Sequence, residues 1–600
     1  MTVPICTRSG DIIEPLMKPQ WWVRCKGLAE PAMEAVRNGK LEITPMASEK
    51  EWFRWLENIQ DWCISRQLWW GHRIPAYFVR IEGQDNDASS SDYWVVGHDE
   101  AEARQRAEKK FPGAKFTLEQ DPDVLDTWFS SGLWPFAVLG WPDKTSDMEK
   151  YYPTQLLETG WDILFFWVAR MVMLGIYLTG EVFCHAMVRD AQGRKMSKSL
   201  GNVIDPIDVI QGISLADLHA QLEAGNLDPR EVVKAKKGQS ADFPDGIPEC
   251  GTDALRFTLC AYTSAGRDVN LNVLRVDGYR KFCNKLWNAT RFALMKLGDD
   301  FVPRAETGLG GAESLAERWI LHKLNIAARD VNAALAEMNF MAATTAVYSF
   351  WLYDLCDVYI EYIKPITTPE ADPAARRSAQ ETLFTCLEQG LKLLHPFMPF
   401  VTEELWQRLP RRASETSKTI CLSAFPEPRA EYESPAAERD FDLVMSIVKA
   451  ARSLVADYHI TSKATVYIAP TTAAAHALAA AEAAGICTLI KGCSEVLALE
   501  PSASVPAGCA VLSVNDEVAV HLMVRGRVDI DQEIKKIEKK MSKADKAREA
   551  LLAKTKIDDY TERVPEDVRE QNANKLSNYD AEIEALQQAI ATFLTLKGSN

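Results

Sequence analysis

The ten residues Gly193 to Asn202, GRKMSKSLGN, constrain the fold most strongly, because they follow directly on a run that reads as a β-strand, Glu181 to Arg189 (EVFCHAMVR). Glycines and small residues let such a loop bend close to a polyphosphate, and Lys195 and Lys198 place two cations beside it. A strand that delivers a phosphate-facing loop belongs in an α/β sheet. The preceding chain agrees, since helical and extended patterns alternate from Glu51 to Asp190. Arg73 to Ile81 (RIPAYFVRI) reads as a strand, Ala101 to Lys110 as a solvated helix and Asp162 to Leu178 as a buried helix. The first fifty residues instead mix turn signals with short extended runs such as Pro19 to Val23, like the tail of something begun earlier.

After Asp253 the character changes. Tyr279, Phe282, Cys283, Leu286, Trp287, Thr290 and Ala293 recur at helical spacing, and similar amphipathic stretches continue to about Leu409, which predicts a helical bundle. Residues 410–440 are rich in Pro, Arg and Glu and read as a linker, and 440–525 mixes an Ala-rich helix with β-like runs such as Ala464 to Ile468. At the end, Ile530, Ile534, Ile537, Met541, Ala544 and Leu551 follow heptad-like spacing, and Leu576, Tyr579, Ile583, Leu586, Ile590 and Phe593 repeat it after a break at Pro565. Two such helices make an antiparallel coiled-coil hairpin. Its first helix is basic, with 11 Lys/Arg against 6 Asp/Glu from Arg525 to Lys556, which suits either a solvated face or an arm that touches RNA.

Six hundred residues exceed one core and favour several domains. A net charge of −16 argues against a continuous basic surface but leaves room for a local basic patch. The thirteen cysteines are scattered singly, with no Cys-x-x-Cys pair, so a zinc ribbon is not expected and free thiols in a reducing compartment, the cytoplasm, are. The strongest apolar run, Ile163 to Leu178, is interrupted by Arg170 and is shorter than the roughly 20 residues that span a bilayer, so no membrane segment is expected.

The GRKMSKSLGN string resembles the second signature of the class I aminoacyl-tRNA synthetases, and its surroundings resemble the valyl family. Asp61 to Pro75 (DWCISRQLWWGHRIP), Asp123 to Leu133 (DVLDTWFSSGL), Glu158 to Trp167 (ETGWDILFFW), Tyr279 to Phe292 and His395 to Trp406 carry the likeness over essentially the whole chain. The isoleucyl family typically has Asp at the position of Ser130 and Gln where Ile163 follows Asp162, which favours the valyl relative.

The resemblance implies roles. Lys195 and Lys198 would stabilise the departing pyrophosphate when valine attacks ATP, within an ATP-binding loop that includes Met196, Ser197 and Ser199. Gly160 and Asp162, at a strand-to-helix turn, match the adenosine-contacting motif, and a carboxylate there can accept from two ribose hydroxyls. His185 would lie near adenine; His72 is a weaker candidate. Trp128, Ile163 and Trp167 match the walls of the valine pocket, and Ile163 and Trp167, four apart on a helix, would share a face. Such a pocket cannot strongly reject threonine, which is why the family carries an editing domain.

The implied fold is α/β, the second half of a class I Rossmann-like catalytic domain, followed by an all-α anticodon-binding bundle and a C-terminal antiparallel coiled coil. The expected divisions are 1–50, the exit from the inserted editing region; 51–270, catalytic, with the signature loop and a stem-contact region; 271–425, the helical anticodon-binding domain; 426–525, a small α/β region; and 526–600, a coiled-coil tRNA-binding arm. The implied substrates are valine, ATP with magnesium, and tRNA(Val), with no protein-built metal cage. The family's earlier signature, His-x-Gly-His, is not in the sequence: Gly71-His72 and Gly97-His98 lack its context. The expectation is therefore a piece of a valine–tRNA ligase, inactive alone, whose sheet exposes an apolar edge. A tRNA-binding fragment without catalysis and an isoleucyl relative are the alternatives.

Overall fold

The computed structural model describes residues 3–6, 11–14, 16–175, 179–197, 200–225, 227–263, 268–526 and 530–556, with scattered positions between 560 and 594. It forms two compact units, one of residues 1–204, 215–244 and 262–272, the other of residues 205–214, 245–261 and 273–600.

The first unit is built on a three-stranded parallel sheet: β1 (Glu42–Thr44), β2 (Thr154–Gly160) and β3 (Thr179–His185), with β3 in the middle. Parallel strands need apolar cover. Val182 and Cys184 of β3 are buried in one cluster with Ala29, Ala32 and Val36 of the helix Lys26–Arg37 and with Val168, Met171 and Val172. That helix departs from the expectation of irregular chain before residue 50. Pro31 inside it hides the helical period at the cost of one backbone rung, while the alanine stripe lets it lie close to the sheet. β2 is an edge strand, and its Leu156 is exposed.

The single buried helix expected over Asp162–Leu178 is not regular. Trp161–Ile163 form a 3₁₀ turn, Leu164–Ala169 a wider π turn, and only Arg170–Leu174 an α-helix; residues 176–178 lie outside the described set. The wide winding spreads three consecutive aromatics, so that Phe165 stacks on Trp55 at 4.2 Å while Trp167 meets Trp128. The strand expected over Glu181–Arg189 breaks after His185, and Val188–Arg189 pair instead with Val269–Asn270. A separate antiparallel sheet has Ala76–Ile81 between Trp94–Val96 and Phe116–Gln120, covered by the helix Glu100–Lys110, which Asp99 caps.

In the second unit the expected bundle is present as long helices, among them Val273–Leu297, Leu315–Ala336, Pro373–Leu394 and Pro399–Arg408. Phe282, Cys283, Leu286, Thr290 and Ala293 are buried as their spacing requires, whereas Trp287 is partly exposed beneath Arg408. Helix Pro435–Asp457 leads to a four-stranded sheet of β4 (Ala464–Pro470), β5 (Cys493–Ala498), β6 (Cys509–Ser513) and β7 (Val518–Met523), in the order β5-β4-β7-β6. One hydrophobic core runs from Phe257 to Val524. The stretch 410–440 is thus no free linker, because Arg412 is buried with Glu388, 2.7 Å away. The basic helix Ile530–Thr555 is formed. Of the return helix expected from Leu576 to Phe593, half the positions are described, and those, Leu576, Tyr579, Ile583, Leu586 and Ile590 among them, are helical; Asp580 pairs with Arg548 at 2.5 Å. Among the described residues, no helix is long and apolar enough to cross a membrane.

Candidate functional site

Ligands of open parallel sheets lie beyond the carboxyl ends of the strands. There β2 and β3 end side by side, with His185 in register with Gly160. Gly160 is needed for space, not for its ordinary φ of −67°. A Cβ there would stand 2.8 Å from Asp162 Oδ1 and 2.9 Å from Met187 Sδ. The bare backbone leaves the crevice open and lets the chain turn sharply into Asp162. His185 points one ring nitrogen, Nδ1, at its neighbour's carbonyl, Ala186 O, at 2.9 Å. Its Nε2 stands 3.3 Å from Glu158 Oε1.

The signature loop returns to this crevice. Lys195 Nζ donates to Asp162 Oδ2 at 3.1 Å, and the lysine is otherwise mostly exposed. Met196 and Ser197 are half-buried; Lys198 and Ser199 lie outside the described residues. What holds the loop is a side chain that sequence reasoning did not single out. Asp190 accepts from Arg194 N at 2.7 Å, Gln192 N at 3.1 Å, Arg194 Nε at 2.7 Å and Asn202 Nδ2 at 3.0 Å. Asn202 also accepts from Ser197 N at 3.0 Å, so both ends of the loop are tied to one carboxylate. Burial would raise the Asp190 carboxyl, but the Asn202 and Arg194 hydrogen bonds outweigh it and hold it below its ordinary value. Gly193, at φ +78°, makes the intervening turn. The signal was present as Asp190-x-x-Gly193, an acceptor three residues before a glycine.

Asp268 plays a matching part under the crevice. It accepts from Met187 N at 3.1 Å, from Trp161 Nε1 at 3.3 Å and from Arg189. Burial alone would raise its carboxyl, but these donors keep it below the usual range. Glu158, Asp190 and Asp268 are therefore the additions that the structure makes to the site.

The residues of the candidate amino-acid pocket stand on the π turn, at its start and on the helix Thr127–Ala137. Trp128 and Trp167 are brought together, with ring centroids 6.1 Å apart and planes at 51°. Ile163, half-buried, closes the 3₁₀ turn between Asp162 and the π segment, so its relation to Trp167 is not the regular helical face that its spacing suggested. Asp126, buried and ion-paired with Arg66, accepts from Trp128 N at 2.7 Å and so fixes the start of the helix Thr127–Ala137. His72 stands apart from the phosphate loop, 3.4 Å from Ser130 Oγ. Among the described residues, no group of three or more His, Cys, Asp or Glu side chains is placed to hold a metal ion. The arrangement as a whole sets a cation on a braced loop against a carboxylate at the end of β2, with a pair of packed tryptophans, Trp128 and Trp167, on either side of it in the chain.

Three family models match the chain. Residues 6–272 fit "tRNA synthetases class I (I, L, M and V)", residues 317–469 "Anticodon-binding domain of tRNA ligase", and residues 529–593 "Valyl tRNA synthetase tRNA binding arm". The valine–tRNA ligase of Schizosaccharomyces pombe is 58% identical over 499 residues, which cover 82% of this chain and 51% of that protein. The mitochondrial valine–tRNA ligase of Saccharomyces cerevisiae is 54% identical over 602 residues, covering 100% and 54%. That of Homo sapiens is 52% identical over 608 residues, covering 99% and 48%. The chain spans about half the length of the curated relatives it matches.

Proposed function

Because this chain belongs to the valyl-tRNA synthetase family of the class I synthetases, we propose that it supplies the signature-loop half of an ATP-dependent valine activation site and the surfaces that hold tRNA(Val). The observation that carries this reading is the 3.1 Å contact between Lys195 and Asp162, which joins the signature loop to the turn at the end of β2. ATP entering the crevice would compete for both partners. The ribose hydroxyls would take the Asp162 carboxylate, Gly160 would admit them, and His185 would border the base. Lys195 and Lys198, with the loop backbone through Ser199, would meet the phosphates as negative charge builds on pyrophosphate. Magnesium would arrive with ATP as part of the substrate.

Trp128, Ile163 and Trp167 would enclose the valine side chain, and their bulk would exclude larger ones. The helical unit would read the tRNA, and Ile530–Thr555 with its return segment would form a coiled-coil arm along it. All thirteen cysteines are free, which suits a reducing compartment; we assign the cytoplasm, while the S. cerevisiae relative carries "mitochondrial" in its name.

The 600 residues contain no His-x-Gly-His string, and this favours a second reading, in which the chain binds tRNA without activating valine by itself. Valine-dependent ATP–pyrophosphate exchange by the purified chain, run beside a Lys195→Ala/Lys198→Ala control and together with binding of tRNA(Val) and a noncognate tRNA, tests both. The expected result is preferential binding of tRNA(Val) with exchange no higher than the control. Exchange well above the control would show that the loop and turn suffice without the first signature. Equal binding of both tRNAs would sink the functional assignment.

A further inference from the structure

Two helices that follow the signature loop in the chain, Leu215–Ala224 and Pro229–Asp242, return to it within the same compact unit. Asp228 caps the second by accepting from Arg230 N at 2.8 Å, with Pro229 as its first residue. An ion pair between Lys236 and Glu223 and a 3.4 Å contact between Ser240 Oγ and His219 Nε2 join the two helices to each other. The pair meets the loop in two places. Before the lysines, Gln192 Nε2 donates to Asp242 Oδ1, at the end of the second helix, at 2.7 Å. After them, the backbone of Gly201 lies in a seat made by Leu222, Leu227 and Ala235. A Cβ on Gly201 would stand 2.9 Å from Leu227 Cδ2, 3.0 Å from Ala235 Cβ and 3.1 Å from Leu222 Cδ2.

These contacts do something that Asp190 cannot. Asp190 ties one end of the loop to the other and so fixes its shape. The helices fix where that shape stands, because they hold it at residues 192 and 201, on either side of Lys195 and Lys198. Phosphates entering the site would draw Lys195 off Asp162, and a loop held at both flanks can release that lysine without losing its place. Holding the flanks beforehand lowers the ordering cost that binding would otherwise meet. A single hydrogen bond at the surface is weak, so the bond and the seat act together.

We propose that this helical pair is a latch for the signature loop, in which Asp242, acting through Gln192, and Ala235, acting through Gly201, are positioning residues for Lys195. The inference rests on the nucleotide-binding part of the proposed function.

The test follows two readouts on the 600-residue chain: affinity for a fluorescent ATP analogue, and the rate of tryptic cleavage after Arg194, Lys195 and Lys198 without nucleotide. Gln192→Glu sets two carboxylates against each other, and is expected to speed cleavage and weaken the analogue by roughly threefold each. Adding Asp242→Asn restores the hydrogen bond with donor and acceptor exchanged, and both readouts should return close to wild type. Ala235→Leu overfills the seat from the helix side and should shift both readouts by about tenfold, with an unchanged far-ultraviolet spectrum. A weaker fold alone would lower the melting midpoint and speed cleavage throughout the chain, and the exchange would not repair it. Unchanged readouts in Gln192→Glu overturn the latch, as does a double variant no better than Gln192→Glu. Cleavage that responds while affinity stays at the wild-type value would show that the helices hold the loop without positioning Lys195, and overturns it too. Cleavage that follows the exchange in a chain with no affinity for the analogue keeps the latch and brings down the nucleotide reading instead.

Discussion

Removing a buried cation from its carboxylate strands the carboxylate, and Arg412 is held where that cost is large. Its Nε donates to Glu388 Oε2 at 2.7 Å, Nη2 to Thr385 Oγ1 at 2.8 Å, and Nη1 to Arg304 O at 3.0 Å and Glu306 O at 3.1 Å, with both charged side chains almost wholly buried. Arg412→Met should therefore destabilise the second unit by about 3–5 kcal/mol, whereas adding Glu388→Leu should recover most of the loss. Melting midpoints of the two variants check this, and equal midpoints would show that the pair is solvated in practice. Nothing around Arg412 in sequence gave its role away, since Pro, Arg and Glu neighbours read as linker and its partners are 24 and more positions distant. Lys195, by contrast, was legible because its function is local: the loop that bends and the cation it carries are one string. Asp190 lies between these cases. Its acceptor turn is local and readable, but its hold on Asn202 needs the loop to close.

At the scale of elements, the end of β2 shapes the candidate nucleotide site. Alanine fits the backbone at Gly160, so Gly160→Ala should leave the fold intact, yet its methyl would displace Asp162 or Met187. Loss of a hydrogen bond from a charged acceptor is worth about 1.5–3 kcal/mol. The variant should thus bind a fluorescent ATP analogue roughly 10–100-fold more weakly than wild type, with an unchanged far-ultraviolet spectrum and melting midpoint. Unaltered nucleotide affinity would mean that Asp162 does not face the ligand. The long helices were readable from period alone, as Val273–Leu297 shows, while the order of the strands was not. Two elements were not. Lys26–Arg37 hides its period behind Pro31, and Leu164–Ala169 takes a winding for which an apolar run carries no periodic mark. The second of these joins Asp162, which meets Lys195, to Trp167, which meets Trp128.

For the molecule as a whole, charge poses the sharper problem. If the chain holds tRNA as proposed, a protein of net −16 must bind a polyanion; the segment from Arg525 to Lys556, which includes the helix Ile530–Thr555, alone carries +5, which leaves the rest at −21. Attraction has to be local and has to outweigh a repulsive background that salt screens over about 10 Å. Ile534, Ile537, Met541 and Ala544 turn one side of that helix inward, while Lys535, Lys539, Lys543 and Lys546 are exposed at helical spacing on another. Such a stripe is either a solvated face or a track for phosphates, and salt separates the two. Each phosphate contact adds roughly 0.7–0.9 to the steepness with which log K falls against log salt. Replacing the four lysines by glutamine keeps helix propensity and removes the stripe. If the stripe lies along tRNA, the variant should show a slope shallower by about 3, with weaker binding at low salt and nearly wild-type binding at high salt. If the slope is unchanged, the lysines only keep the arm soluble, and the tRNA must be held by the helical unit against the charge of the whole.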